Sequence, residues 1–121
     1  MGNPVTHFEI VGADPAGLQS FYREAFGWEI VATGPSYAMV HPGGESGING
    51  GIGTAVEGEA SRVTVYVEVD DLDSVLARVE RLGGQRVVGP MAVPNGPSIA
   101  LFADPEGHVI GLTAAATITG R

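Results

Sequence analysis

Cysteine and lysine are both absent from this chain of 121 residues. Without cysteine there is no disulfide framework, no thiolate nucleophile and no zinc-finger spacing. Six basic residues, all arginine, stand against 14 acidic ones, and the formal net charge is -8. Such a chain has no basic patch able to neutralise a run of phosphates. We therefore expect no nucleic-acid partner.

Long apolar runs are also missing. A helix that crosses a bilayer needs about 20 consecutive apolar residues, and no stretch of this sequence approaches that length. The first residues, MGNPVTHFEI, lack the basic start and the continuous apolar run of a secretory signal. We therefore expect a cytoplasmic protein with no membrane partner. A chain of this length can bury a core of its own, so residues 1–121 are interpreted as a single domain.

The order of predicted elements occurs twice along the chain, which indicates two related modules. Residues 5–11 alternate polar and apolar side chains, as a half-buried strand does. Asp14 and Pro15 then open a helix, with a side-chain cap followed by a residue suited to the first turn. A second helix opens at Asp70 and Asp71. The remaining strands are predicted at 28–33, 36–40, 49–56, 62–69, 85–89, 98–103 and 108–113.

Each predicted helix carries apolar residues at helical spacing, so each is expected to pack one face on a sheet. The sequence therefore predicts an α+β fold of two βαβββ modules, about 1–57 and 60–121, joined near residues 57–61. The apolar positions are Leu18, Phe21, Tyr22, Ala25 and Phe26 in the first helix, and Leu72, Val75, Leu76, Val79 and Leu82 in the second.

The strand faces turned away from the helices are where a functional site is expected. Successive side chains on a strand point to opposite faces, so His7 and Glu9 lie opposite Phe8 and Ile10. In the second module, alternating valines are expected to face the helix, which leaves Thr64, Tyr66 and Glu68 on the other face.

The later strands are expected to add apolar and aromatic lining to the same face. They contribute Tyr37 and Met39, which an alignment of VHPGG with ADPEG matches to Ala100 and Phe102. A largely apolar lining with a few polar groups is typical of a small-molecule site.

Three stretches of the sequence resemble the vicinal oxygen chelate superfamily. They are HFEI with FYREAFGW, VYVEVDDLDSVLARVERLGG, and LFADPEGHVIGL. This superfamily includes glyoxalases, bleomycin-resistance proteins and extradiol dioxygenases, and the resemblance covers nearly the whole chain. It implies an eight-stranded cup, often completed by dimerisation. It also implies a divalent metal held by side chains from the first and last strands of the modules.

The metal ligands of that superfamily do not carry over well to this sequence. His7 matches the ligand of the first strand, but Thr64 falls at the equivalent place in the second module. Gly111 falls where the terminal strand usually presents a glutamate, and Asn49 is the only polar side chain in the stretch NGGIG. A catalytic zinc needs about three protein ligands. We therefore expect a degenerate metal site with no metal or other cofactor.

Three functions remain open. The first is binding or transformation of a small, largely apolar or aromatic molecule, with His7 and Glu9 as metal-independent acid-base groups. The second is a metal-dependent lyase, isomerase or dioxygenase, and the third is a dimer that sequesters a ligand without chemistry. Whether a reaction is catalysed stays open, because His7 and Glu9 also fit a purely structural hydrogen-bonded pair. The expected ligand-binding residues are Tyr37, Met39, Thr64, Tyr66, Glu68 and Phe102.

Overall fold

The computed structural model describes residues 2–55, 61–92 and 96–114. Its eight strands and two helices confirm the predicted α+β class and the two βαβββ modules. Residues 56–60, which include most of the predicted join and the end of the predicted strand 49–56, lie outside the described residues. The elements are β1 Val5–Gly12, α1 Pro15–Phe26, β2 Glu29–Gly34, β3 Tyr37–His41, β4 Asn49–Thr54, β5 Arg62–Glu68, α2 Leu72–Arg81, β6 Gln85–Ala92, β7 Ser98–Ala103 and β8 Val109–Ala114.

Two compact units divide the chain. The N-terminal unit is Thr6–Thr64, and the C-terminal unit is Met1–Val5 with Val65–Arg121. In the N-terminal unit the strands lie in the order β2-β3-β4-β1, with β1 parallel to β4 and the other neighbours antiparallel. In the C-terminal unit, which contains β5 from Val65 onward, the order is β5-β8-β7-β6, with β5 parallel to β8. Each unit thus places the first and last strands of a module side by side.

The core of the N-terminal unit lies under α1. The helix begins where Asp14 Oδ1 accepts a hydrogen bond of 3.0 Å from the amide of Gly17, which confirms the predicted cap. It ends at Gly27, whose φ of 70° is a left-handed conformation that glycine adopts without strain. The core side chains are Ile10, Val40 and Ile52, with Phe8, Leu18, Tyr22, Trp28 and Ile30 packed around them.

The apolar stripe predicted for α1 is wider than the face that the helix buries. Phe21 and Phe26 are 62% and 63% exposed, so the prediction that they face the core is wrong. Their rings lie on the flank of the helix against Tyr22, with centroid distances of 5.0 Å and 6.2 Å. Contacts between neighbouring aromatic rings take the place of burial at these positions.

The core of the C-terminal unit lies under α2 and contains Val69, Leu72, Leu76, Ala100, Leu112 and Ala114. Two details of the predicted helix differ. Asp71 occupies the N-cap position without a side-chain cap hydrogen bond, and its carbonyl accepts from the hydroxyl of Ser74 at 3.2 Å instead. Leu82 is 72% exposed because the helix ends at Arg81, one residue before it. Neither helix in the described part of the chain is long and apolar enough to cross a membrane.

Candidate functional site

One face of the N-terminal sheet carries the polar side chains expected from the sequence. Strand β4 runs parallel to β1, with Asn49 beside His7 and Gly51 beside Glu9. On the far side of β4, strand β3 places Met39 opposite Gly51. The alternation in VTHFEIV places His7 and Glu9 on one face, and the pairings of β4 with β1 and β3 bring Tyr37 and Met39 to the same face.

A chain of hydrogen bonds joins four of the side chains on this face. The hydroxyl of Tyr37 donates to Glu9 Oε2 at 3.0 Å, and His7 Nε2 lies 3.4 Å from the same hydroxyl oxygen. At the other end Arg62 Nη2 donates to Glu9 Oε1 at 3.3 Å, in an ion pair whose side chains are 25% and 13% exposed. We call His7, Tyr37, Glu9 and Arg62 the polar relay.

Arg62 is the member of the polar relay that the sequence analysis missed. A signal was present, because Arg62 stands two residues before Thr64 and therefore on the same strand face as Thr64 and Tyr66. The valines between them predict that the opposite face of the strand is the packed one. The guanidinium matters chemically, since it compensates the charge of a carboxylate that has lost most of its contact with water.

Glycines in β4 make room for Tyr37. A Cβ atom added to Gly51 would overlap the hydroxyl end of the Tyr37 ring, and one added to Gly53 would lie 2.9 Å from Tyr37 Cδ1. The ring therefore lies directly on the backbone of β4. Only a residue without a side chain at position 51 allows the Tyr37 hydroxyl to reach Glu9.

The proton positions in the polar relay follow from donor counting. Tyr37 has one hydroxyl hydrogen, and it is directed at Glu9. The contact between His7 Nε2 and the Tyr37 oxygen then requires the hydrogen on Nε2. A neutral imidazole with hydrogen on Nε2 carries its lone pair on Nδ1.

Burial lowers the pKa of His7 below its usual value of 6.5, and the charge of Glu9 opposes this by raising it. We expect the ring to titrate below 6.5 and Glu9→Gln to lower its pKa further, because the opposing charge is removed. Ring ¹H–¹³C NMR against pH, assigned with His7→Gln, measures both. Titration of His7 at or above 6.5 would contradict the expected burial.

The lowered pKa of His7 also determines how the free energy of unfolding changes with pH. His7 takes up a proton at a higher pH in the unfolded chain than in the folded protein. The contribution of neutral His7 to the free energy of unfolding is therefore complete above the usual pKa. That contribution is lost as the pH falls through the lowered value. Urea titrations at several pH values, compared with His7→Gln, separate it from the carboxylates.

The remaining predicted site residues on β5 are Thr64, Tyr66 and Glu68. Thr64 belongs to the N-terminal unit and is 2% exposed. Tyr66 and Glu68 belong to the C-terminal unit, where Tyr66 is 4% exposed and Glu68 lies at the exposed end of β5. The ring of Tyr66 covers Gly111, so that a Cβ there would overlap it. Their roles in ligand binding stay predictions.

Phe102 requires a correction of the alignment between the modules. Gly111 pairs with Leu101 and Gly51 pairs with Met39, so Met39 corresponds to Leu101 rather than to Phe102. A shift of one residue moves every side chain of a strand to the opposite face. Phe102 accordingly packs against the core under α2. We leave it out of the candidate site.

The side chains present do not fit the divalent metal that the resemblance implies. Gly51 and Gly111 occupy the equivalent positions on the terminal strands of the two units, and each is covered by a tyrosine ring. His7 Nε2 is engaged with Tyr37. No group of three or more histidine, aspartate or glutamate side chains among the described residues could hold a metal. We therefore derive no chemistry from a metal.

The fold identifies the class of protein. A glyoxalase/bleomycin resistance protein/dioxygenase superfamily member from Vibrio splendidus 12B01 has the same fold with a TM-score of 0.64. The two are 16% identical, and the match covers 93% of this chain and 99% of the other. The family model of the glyoxalase-like domain matches residues 8–113. This chain belongs to that family, within the vicinal oxygen chelate superfamily.

Two curated relatives are larger proteins. CFP32 of Mycobacterium tuberculosis is 27% identical over 82 residues, which are 68% of this chain. The anthracycline biosynthesis protein DnrV of Streptomyces peucetius is 39% identical over 62 residues, which are 47% of this chain. The matches cover 31% and 22% of the lengths of CFP32 and DnrV.

Proposed function

We propose that this chain binds or transforms a small, largely apolar or aromatic molecule at the polar relay, without a bound metal. The observation that carries the proposal is the continuous hydrogen-bonded connection from His7 through Tyr37 and Glu9 to Arg62. It places a basic imidazole and an ion-paired carboxylate on one sheet face. Functional sites commonly combine groups of this kind with an apolar lining.

The polar relay supports acid-base chemistry centred on His7. Its lowered pKa keeps the ring neutral near physiological pH, which is the state of an imidazole that can accept a proton. Tyr37 and Glu9 fix the tautomer and the direction of the ring, as the partner of a catalytic histidine does. Proton abstraction from a bound molecule or activation of a water fits this arrangement, and a positioned base of this kind typically accelerates a reaction by about 10²–10⁴-fold.

The surroundings of the polar relay favour a flat ligand. On this face the ring of Tyr37 covers Gly51 and Gly53 of β4, and Met39 lies opposite Gly51. Aromatic and thioether groups pack well against an aromatic ring. The similarity to DnrV, an anthracycline biosynthesis protein, is in keeping with a polycyclic aromatic ligand.

The test uses 1,4-dihydroxyanthraquinone, a flat tricyclic molecule with phenolic and ketone oxygens. We expect it to bind the wild-type protein, as followed by its visible absorbance, and to bind Tyr37→Phe and His7→Ala at least about tenfold more weakly. Arg81→Gln is the matched control, because Arg81 lies on α2 in the other unit. Chelators are expected to leave binding unchanged.

Elemental analysis and native mass spectrometry of the purified protein separate the alternatives. A stoichiometric transition metal, together with probe binding that chelators abolish, would support the alternative of a metal-dependent enzyme. A dimer from which the probe is recovered unchanged would favour sequestration. No binding of the tricyclic probe or of the smaller 1-naphthol would contradict the aromatic ligand class.

A further inference from the structure

A groove that shares only Arg62 with the polar relay opens beside the first turn of α1. It has a volume of about 760 Å³, and its walls come from the end of β1, the start of α1 and the start of β5. All of these residues belong to the N-terminal unit. Small-molecule sites typically have volumes of about 300–1,000 Å³. The space is therefore sufficient for a small ligand.

The walls of the groove are mainly apolar, and part of them is open to water. Phe21 and Val63 are 62% and 70% exposed, and Leu18 lines the groove with them. Gly12 forms the floor: a Cβ there would lie 2.9 Å from Leu18 Cδ1 and 3.7 Å from Ser61 Oγ. Covering exposed apolar side chains is favourable in proportion to the area removed from water. The groove therefore favours a ligand with an apolar body.

Arg62 is the only cationic side chain among the described residues that line the groove. A guanidinium has five N–H donors, and the described hydrogen bonds of Arg62 consist of the one from Nη2 to Glu9 at 3.3 Å. Its Nε is buried and has no hydrogen-bond partner among the described residues. A buried donor without a partner costs free energy that an added acceptor recovers. The Arg62 end of the groove therefore favours an anionic acceptor.

Asp14 is the acidic residue of the groove lining, and the described ion pair of Arg62 is with Glu9 rather than with Asp14. Asp14 Oδ1 accepts from the amide of Gly17 in the helix cap. Ser61, next to Arg62 in the chain, adds a hydroxyl at the same end of the groove. Arginine pairs most strongly with planar carboxylates, to which two parallel N–H groups can donate.

From these features we infer that the groove binds a small carboxylate with an aromatic or branched apolar body, and that Arg62 is its anchor. The carboxylate accepts from the guanidinium and the body packs on Leu18, Phe21 and Val63. This inference does not rest on the proposed function, since the groove is lined by different residues apart from Arg62.

Phenylacetate is the test ligand, titrated into the millimolar range and followed by the backbone amide resonances of the protein. We expect saturable shifts at Gly12, Leu18, Phe21, Ser61 and Val63. Phenylacetamide lacks the charge and acetate lacks the ring, so each is expected to bind at least about tenfold more weakly.

Two pairs of variants test the walls and the anchor. Arg62→Gln and Phe21→Ala are expected to weaken binding by about tenfold and threefold or more. Arg62→Lys is expected to retain part of the affinity. The controls are Arg23→Gln, on the same helix but outside the groove lining, and Phe26→Ala, which removes an equally exposed ring.

Several outcomes would overturn the inference. These are no saturable shift with phenylacetate, equal binding of phenylacetamide, or shifts confined to His7, Tyr37 and Met39 on the polar face. If Arg62→Gln does not fold, the amide shifts of the wild-type protein still test whether the groove binds phenylacetate. The comparison of Phe21→Ala with Phe26→Ala tests the same point. Failure here leaves the binding of the anthraquinone probe at the polar relay untouched.

Discussion

Replacing Gly51 with alanine is expected to displace Tyr37, break the polar relay and destabilise the protein by about 1–3 kcal/mol. The added methyl group would overlap the hydroxyl end of the Tyr37 ring. Either the ring moves away from Glu9 or β4 shifts, and both abolish the 3.0 Å hydrogen bond from Tyr37 to Glu9. Glu9 then keeps Arg62 as its described partner.

A competing effect makes the sign of this prediction informative. Alanine in place of a strand glycine normally stabilises a protein by about 0.4–1 kcal/mol, because the unfolded chain becomes less flexible. At Gly51 the steric term is larger, so the net change is a loss. Gly34 is the control: it lies in a strand, and a Cβ there would meet nothing within 4 Å. Gly34→Ala should leave the free energy of unfolding unchanged or slightly raised.

Urea unfolding of Gly51→Ala, Tyr37→Ala and the double variant measures the coupling between these positions. With the ring removed, the alanine methyl has space, so the double variant should be no less stable than Tyr37→Ala alone. Binding of the anthraquinone probe should fall in Gly51→Ala and persist in Gly34→Ala. Additive losses of stability would show that the ring and the glycine do not constrain each other.

The elements of the fold were predictable because their signals are local. Asp14 and Gly27 bound α1 through side-chain capping and a left-handed φ, both of which single residues determine. Strand β6 is the exception, since it continues past the predicted end at residue 89 to Ala92. Its pairing with β7 has two register shifts, and the one between Val88 and Met91 accommodates Pro90.

For the candidate site, the alternation of polar and apolar residues predicts which strand face each side chain occupies, and nothing more. Alternation placed His7 and Glu9 on one face, but it does not say which neighbour completes their hydrogen bonds. The contact of Tyr37 with Glu9 spans 28 positions in sequence and depends on the register of β3, β4 and β1 together. The pairing of Arg62 with Glu9 spans 53 positions. Neither distance can be obtained from the periodicity of one strand.

The wrong prediction for Phe102 has a definite physical origin. The alignment of the two modules was anchored on the turns after β3 and β7, and loops tolerate a one-residue difference that strands do not. The pairs formed by Gly51 and Gly111 fix the correct offset. Those glycines carry no side chain, so the hydrophobic pattern of the sequence does not mark them as register positions.

Replacing Ile52 with alanine is expected to lower the free energy of unfolding by about 2–5 kcal/mol, a large part of the 5–15 kcal/mol typical of a domain. Ile52 is fully buried, on the β4 face opposite the one that carries Gly51 and Gly53. Its side chain packs with Ile10 and Val40 in the core under α1. Truncation removes apolar contacts and leaves a cavity that the surrounding side chains fill only in part.

Ile48 provides a matched control four residues earlier, since it is 37% exposed. Ile48→Ala should change stability by about 0.5 kcal/mol or less. Urea unfolding of the two variants compares the same chemical change in two environments. Ile52→Ala should also weaken binding of the anthraquinone probe, because the packing of Ile52 holds β4 in the register that seats Tyr37 on Gly51. A large stability loss with unchanged probe binding would show that the polar relay does not depend on this core; equal losses for the two variants would contradict the described burial.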